Sequence, residues 1–392
     1  MDNVDMRELG NRLQHARKRR GLTQADAAEV LGVARTTITA IEKGERRVDA
    51  EELIKLADAY GRPVSDFVAD RPYIKPLDVQ FRAAIRRSDA EEDKISGVIQ
   101  DWEDLCRDYL ELEKIVGAPL ARNYSPEYQV EKIRIDAAAE SIALRERSRL
   151  GLGDGPIPLL RDMLEQEVGL RIFFLEMPAK FSEMYAYEEN LGGCLAVNVN
   201  HPEARRRWSL AHGYLHFLAH RQMPVFHYEG QYQRVPESER LADAFAMHFL
   251  MPTSGIVKRF SAYKSSGKFT PADLCTLAHY YGVAVEALVH RLESLDLLPT
   301  GTWEKLMHRG FRVRKAQAEL GLSEIPQRPD LVPLHYQHLA IEAFDQGLIT
   351  EGRFARLLRV DRLEARRVAA ALREHSSGIN DASSLDLSER PA

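Results

Sequence analysis

Residues 21–61 read GLTQADAAEVLGVARTTITAIEKGERRVDAEELIKLADAYG, and glycines divide this stretch into helices. Thr23 is placed to cap a short helix that Gly32 stops, and a second helix over VARTTITAIEKG stops at Gly44. Asp49 opens a third helix, whose Leu53, Leu56, Ala57 and Tyr60 recur at helical spacing. Upstream, Leu9, Leu13 and Ala16 mark the inner face of a further helix that Gly21 ends. Between Arg7 and Arg47 ten Lys and Arg stand against five Asp and Glu, whereas the whole chain of 392 residues carries a net charge of −5. Two short helices joined by a tight turn and flanked by bases predict a helix-turn-helix, an arrangement that presents the N-terminal end of its second helix to the DNA major groove.

The same string closely resembles the Xre, or Cro/cI-type, DNA-binding domain. The resemblance implies a lambda-repressor-like fold that binds a double-stranded DNA operator as a homodimer on paired half-sites. Carried over by position, Gln24 would bind backbone phosphate, Arg35, Thr36, Thr37 and Thr39 would face the groove, and Lys43 would meet a phosphate. Arginine can pair bidentately with guanine, and threonine can donate, accept or pack on a thymine methyl, so these side chains suit base readout. Ala34 departs from the pattern where a capping Ser or Thr is usual.

Working outward, hydrophobic residues make up 44% and charged residues 29%, which fits globular folding and excludes collagen, disordered polymer and disulfide scaffold. Cys106, Cys194 and Cys275 are far apart and form no Cys-x-x-Cys pair. A cytoplasmic location is expected on that basis. No apolar run approaches the ~18–20 residues that cross a bilayer, so no membrane partner is expected. The length suggests two to four domains.

Prolines and charge interruptions at Gly61–Pro63, Pro72 and Pro76 set the expected end of the first domain at 1–72. From Asp89 to Glu113 ten acids face two bases, so this segment is no second DNA surface. Its Ile95, Val98, Ile99, Trp102, Leu105, Cys106, Tyr109 and Leu112 form one apolar stripe on a long helix within a linker region, 73–122. The stripe has two readings, a dimerising helix or a face packed on the chain's own second domain.

Residues 123–150 read as mostly helical. GLRIFFLEMP, SEMYAYEE and GGCLAVNVN then predict a small sheet, and a helix begins near Pro202. Six histidines, His201, His212, His216, His220, His227 and His248, fall close together. His212 and His216 lie four apart on that helix, so they project from one face and can hold one metal ion. The residue after His212, where a His-Glu-x-x-His motif carries its general base, is Gly213. A glycine cannot take a proton from a metal-bound water. A following helix, PESERLADAFAMHFLMP, offers Glu239, with Asp243 one turn later.

LAHGYLHFLAHR and ERLADAFAMHFLMP together resemble the ImmA/IrrE metallopeptidase family, in which an Xre domain is a frequent companion. The resemblance implies a zincin-like domain over 123–300 with His212, His216 and Glu239 as zinc ligands and Gly213 in place of the catalytic glutamate. Leu215 also replaces a usual glycine. Two readings of the histidines stay open, a retained zinc (Zn2+) site or a metal-free packed interior. His220, Glu229 and Asp243 are further candidates around it, and Glu188 or Glu189 is a candidate substitute carboxylate.

Leu-Ala-x-x-Tyr-Gly-x-x-Val recurs in LADAYGRPVSDFV and LAHYYGVAVEALV, suggesting a second helix-turn-helix-like unit with a packing role. A helical C-terminal region, 301–375, carries Arg353, Arg356, Arg359, Arg362, Arg366, Arg367 and Arg373, read as an auxiliary DNA or partner surface or as a solvated face. The tail 376–392 has little to bury and is expected to be disordered.

The expected architecture is mostly α with a small β-sheet, an α+β fold. The expected function is a sequence-specific DNA-binding transcriptional regulator whose degenerate metallopeptidase-like domain, a pseudoenzyme, senses a ligand or binds a protein partner such as a toxin or repressor. The antitoxin of a toxin–antitoxin pair falls within that class. The alternative is a zinc-dependent endopeptidase that cleaves a repressor.

Overall fold

The computed structural model describes residues 5–62, 64–68, 77, 81, 92–130, 134–228, 235–265, 267–322 and 331–370. Pro63, Pro72, Pro76, Glu229, Arg373 and the tail 376–392 lie outside the described residues. The chain forms two compact units, Met1–Tyr73 and Ile74–Ala392. No helix among the described residues is long and apolar enough to cross a membrane.

The first unit contains α1 (Met6–Arg19), α2 (Gln24–Leu31), α3 (Arg35–Glu42), α4 (Ala50–Tyr60) and α5 (Ser65–Val68). Thr23 and Asp49 each close a reciprocal capping box, on Asp26 and Glu52, and Gly32 and Gly61 end α2 and α4 in the left-handed conformation. Ala34 caps α3 with no side-chain hydrogen bond. Leu9, Leu13, Ile38, Ile41, Leu53 and Leu56 are buried in one core. Through that core runs a buried ion pair, with Arg17 Nε donating to Glu42 Oε1 at 2.5 Å and Arg17 Nη2 to Oε2 at 3.0 Å.

In the second unit, α6 (Glu92–Val116), α7 (Ile135–Arg149) and the short α8 (Leu160–Met163) precede β1 (Arg171–Leu175), β2 (Phe181–Glu188) and β3 (Gly192–Asn198). Then come α9 (Glu203–Ala219), β4 (Val225–Tyr228), α10 (Glu237–Leu250), α11 (Thr253–Ser265), α12 (Pro271–Tyr281) and α13 (Val285–Ser294). The unit ends with α14 (Thr302–His308), α15 (Val313–Glu319), α16 (Leu334–Asp345), α17 (Glu351–Leu358) and a helix over 362–370. The expected α+β class holds. Two details differ: only Ile135–Arg149 is helical within 123–150, and the sheet has four strands, ordered β1-β3-β2-β4.

Strand β1 runs parallel to β3, and β2 runs antiparallel to both β3 and β4. Side chains alternate across the sheet. Ile172, Phe174, Tyr185, Leu195 and Val197 pack with α7, α9 and α10. Phe173, Leu175, Met184, Cys194 and Ala196 pack on the opposite face with α6, α16 and α17.

That second face corrects the dimer reading of the acidic stripe. Ile95, Ile99, Trp102, Leu105, Cys106, Tyr109 and Leu112 are all buried within their own unit against Tyr336, Leu339 and Phe354. Such side chains contribute about 1.5–3 kcal/mol each on full burial, so the stripe's hydrophobic energy is spent inside the unit. The acids of α6 meet the arginines of the C-terminal helices. Arg353 pairs with Glu111 at 2.5 Å, and Arg359 Nη2 donates to the Asp101 carbonyl at 3.2 Å. In the repeated unit Arg291 is buried, donating to the Met251 carbonyl and Thr253 Oγ1 and contacting His248 Nδ1, which fits the packing role expected of it.

Candidate metal centre and nucleic-acid interface

Helix α3 sorts its residues by face. Ile38, Ile41 and Glu42 are buried, whereas Arg35, Thr36 and Lys43 are exposed and Thr37 and Thr39 are half-buried. Gln24, the first residue of α2, links the two helices. Its Nε2 donates to Glu42 Oε2 at 2.9 Å, while its Oε1 accepts from Thr39 Oγ1 at 3.3 Å and from Arg35 Nε at 3.5 Å. Glu42 also accepts from Gln14 Nε2 at 3.1 Å, so one buried carboxylate ties α1, α2 and α3 together. Burial pushes this carboxyl up, but the hydrogen bonds from Arg17, Gln24 and Gln14 outweigh it and hold it below the usual range. The Arg17–Glu42 pair had no local sequence signature, and it removes Arg17 from the bases open to a polyanion.

In the second unit the alternation of the sheet selects the site. Glu183 shares the face of Tyr185, toward α9, and the register of β4 sets His227 directly opposite Glu183. Helix α9 brings His212 and His216 to the same place, and α10 brings Glu239. His212 Nε2 lies 3.5 Å from Glu239 Oε2, and His216 Nε2 lies 3.5 Å from Glu239 Oε1. On its other side, His212 Nδ1 lies 2.6 Å from Glu183 Oε1. His227 Nδ1 lies 3.1 Å from Glu239 Oε2.

Both histidine Nε2 atoms are buried without a hydrogen-bond partner. Buried polar atoms left in this state are costly, and two of them aimed at one carboxylate are what a cation site requires. The carboxylate of Glu183 on Nδ1 is the orienting contact that ligating histidines usually have. The donors therefore fit a zinc-type ion, and among the described residues His212, His216 and Glu239 form one candidate ligand group and Glu183, His212 and His227 another.

The three rings sit in different electrostatic surroundings. Burial, then neighbouring histidines, push His216 well below its ordinary value, leaving a neutral ring. Burial alone would lower His212 and His227, but Glu183 raises the first and Glu183 with Glu239 raises the second to about 9. Glu183 is pushed up by burial yet ends lowered, because His212 and His227 face it.

The remaining candidates fall elsewhere. His220 caps α9 with its Nδ1 3.2 Å from His216 Nδ1, and Asp243 is half-exposed, accepting from Trp208 Nε1 at 3.3 Å. His201 contacts the Ala179 carbonyl, and His248 contacts Asp136. Glu188 accepts from the Asn190 and Leu191 amides in the turn after β2. The sheet carboxylate beside the histidines is Glu183, which faces His212 Nδ1.

Gly213 packs beneath β3, and a Cβ at this position would overlap Leu195 Cδ2. Elsewhere in the unit a cavity of about 390 Å³ opens among Leu159, Leu160, Phe174, Leu210, Tyr280 and Tyr281. That volume lies within the range of small-molecule pockets.

A helix-turn-helix unit, and an α+β unit with a histidine pair and a glutamate on neighbouring helices, define the class of this chain. Residues 13–67 match the helix-turn-helix family and residues 165–293 match the IrrE N-terminal-like domain. The chain is 41% identical over 58 residues to an uncharacterized HTH-type transcriptional regulator of Methanocaldococcus jannaschii, covering 15% of this chain and 88% of that protein. It is 33% identical over 78 residues to a putative HTH-type transcriptional regulatory protein of Pyrococcus furiosus, covering 20% of this chain and 22% of that protein. The chain belongs to the HTH-type transcriptional regulator family and carries an IrrE N-terminal-like domain. The structure of Bacillus thuringiensis PlcR in complex with the peptide PapR7 and DNA aligns over 95% of this chain and 98% of its own, at 13% identity and a TM-score of 0.19.

Proposed function

We propose that the protein is a sequence-specific DNA-binding transcriptional regulator, active as a homodimer in the cytoplasm. Its second domain keeps a zinc site at His212, His216 and Glu239 and uses it for sensing or for binding a protein partner, a toxin or a repressor. The observation that carries the DNA reading is the exposed edge of α3, where Arg35 and Thr36 stand free of the core while Gln24 and Thr39 are fixed by hydrogen bonds behind them. In this reading Arg35, Thr36, Thr37 and Thr39 read bases, and Gln24 and Lys43 hold phosphates.

Bound at the centre, zinc would supply a Lewis-acidic cation. Glu183 orients His212, and Glu239 balances charge. A peptidase additionally requires a general base on the water side, and Gly213 under Leu195 offers none. The cavity beside Leu210 is the candidate effector pocket.

Selection of the purified chain against a random duplex pool tests the regulator reading. Enrichment of a paired half-site is expected, with affinity of order 10⁻⁸–10⁻¹¹ M and a steep fall as salt rises. No enrichment would overturn it. Elemental analysis beside a His212→Ala, His216→Ala double variant tests the metal: about one zinc per chain, lost in the variant, is expected.

A further inference from the structure

We propose that α17 and the helix over 362–370 form a second helix-turn-helix that contacts double-stranded DNA, with Arg362, Leu363, Glu364 and Arg366 at the base-reading positions. This rests on the reading above that α2 and α3 bind DNA, because the two helix pairs correspond residue for residue without an insertion or deletion. Thr23 and Thr350 are the caps: Thr23 Oγ1 accepts from the Asp26 amide at 3.2 Å, and Thr350 Oγ1 from the Arg353 amide at 3.3 Å. Helices of 8 residues follow, and Gly32 and Arg359 end them in the left-handed conformation, at φ 67° and 57°. The same two hydrogen bonds close each turn. The Gly32 and Val33 amides donate to the Glu29 and Ala28 carbonyls, and the Arg359 and Val360 amides to the Arg356 and Ala355 carbonyls. After one more residue the second helix starts, at Arg35 and at Arg362. An arginine is uncommon at positive φ, so no glycine marks the second turn in the sequence.

The faces correspond as well. Ala28 and Ile38 are buried in the core of the first unit, and Ala355 and Ala365, at the equivalent positions, are buried with residues of α16. Gln24 Oε1 accepts from Thr39 Oγ1 across the first pair. Across the second, the equivalent Glu351 carboxylate accepts from Arg366 Nε and Nη2 at 2.9 and 3.0 Å. Arg362, Leu363, Glu364, Arg366, Arg367 and Ala370 are exposed, Leu363 to 60%. The α12–α13 turn shares a threonine cap and a left-handed glycine, Thr270 and Gly282, but its second helix buries Val285, Val289 and Arg291 and so has no face for a groove.

Charge and side-chain chemistry favour a duplex as the occupant. Between Thr350 and Ala370 six Arg stand against three Asp and Glu. Arg353 and Arg359 are engaged by Glu111 and Asp101 of α6. Arg366 and Arg367 lie in surface ion pairs with Glu351 and Glu364, which are weak and screened, so a phosphate can replace the carboxylate. At the groove positions, arginine suits guanine, glutamate accepts from the cytosine amino group and an apolar side chain packs on a thymine methyl.

The test titrates the full-length protein into a fluorescein-labelled duplex of random sequence, ~40 base pairs long, over a series of salt concentrations. Arg362→Ala, Arg366→Ala and Arg367→Ala combined should weaken binding at least ~10-fold and lower the salt slope by about 2–3, close to one for each arginine. The same three positions changed to Lys should keep most of the slope, because the charge is retained. Equal falls in slope in the two triple variants would indicate damaged packing and overturn the proposal. Selection from a random duplex pool should return two motifs, one lost in the alanine triple and the other in Arg35→Ala, Thr36→Ala. An alanine triple with unchanged affinity, slope and motifs overturns this inference alone and leaves the face to a protein contact. A parent that binds no duplex overturns it together with the regulator reading.

Discussion

Leu195 of β3 lies so close to Gly213 of α9 that a side chain at 213 would have to displace its Cδ2 methyl. The glycine and the leucine form one packing unit, in which the space a glutamate would enter is filled from the sheet. Alanine would gain ~1 kcal/mol over glycine in a helix interior, but overpacking costs ~1–3 kcal/mol, so the contact decides the sign. Gly213→Glu is expected to destabilise the second unit, and Gly213→Glu with Leu195→Ala should cost less than the two single changes summed. Thermal melts of the four proteins check this, and strict additivity would show that the contact is irrelevant.

Glu183 is expected to act through His212. Glu183→Gln keeps the shape of the side chain but removes the charge that faces Nδ1. Zinc affinity should fall ~10–100-fold, and chelator competition measures it. Unchanged affinity would make Glu183 a structural charge only.

On the first unit, two kinds of DNA contact should separate by their response to sequence and salt. Arg35→Ala and Thr36→Ala should each cost ~1–3 kcal/mol on the selected operator and little on random duplex. Lys43→Ala should weaken both and lower the salt slope by about one. Footprints on the selected operator that do not change with the first two variants would place base reading elsewhere.

The buried Arg17–Glu42 pair links stability to pH. The carboxyl of Glu42 is held below its ordinary 4.5 in the fold, so its contribution is complete above the unfolded value. It is then lost as pH falls through the lower, folded value. Glu42→Gln is expected to flatten this acid limb of the first unit's melting curve. Arg17→Ala, which strands a buried charge, should destabilise by ~3–5 kcal/mol at neutral pH. An acid limb identical in Glu42→Gln would contradict the assignment.

How much of this was legible in the chain follows from how local each interaction is. Thr23, Gly32, Asp49 and Gly61 each fix a helix end within four residues, so the ends of α2 and α4 could be read directly. His212 and His216 were equally plain because one helix turn joins them. Glu183 and His227 depend on the pairing of β2 with β4, which no short window contains. The one available sign was an acid at an inward position of SEMYAYE, in phase with Tyr185. The stripe on α6 was visible, but its partners on α16 and α17 are more than two hundred residues away in the chain, so its occupant was not.

That distance bears on how the molecule is made. Helix α6 lies early in the second unit, and α16, α17 and the helix over 362–370 follow the whole sheet in sequence, yet all pack against one face of it. During synthesis this half of the core cannot close until the residues of α16, α17 and the helix over 362–370 have left the ribosome. Non-local contacts of this kind fold slowly and expose the chain to aggregation in the interval. The first unit, by contrast, can complete its core while the rest is still being translated.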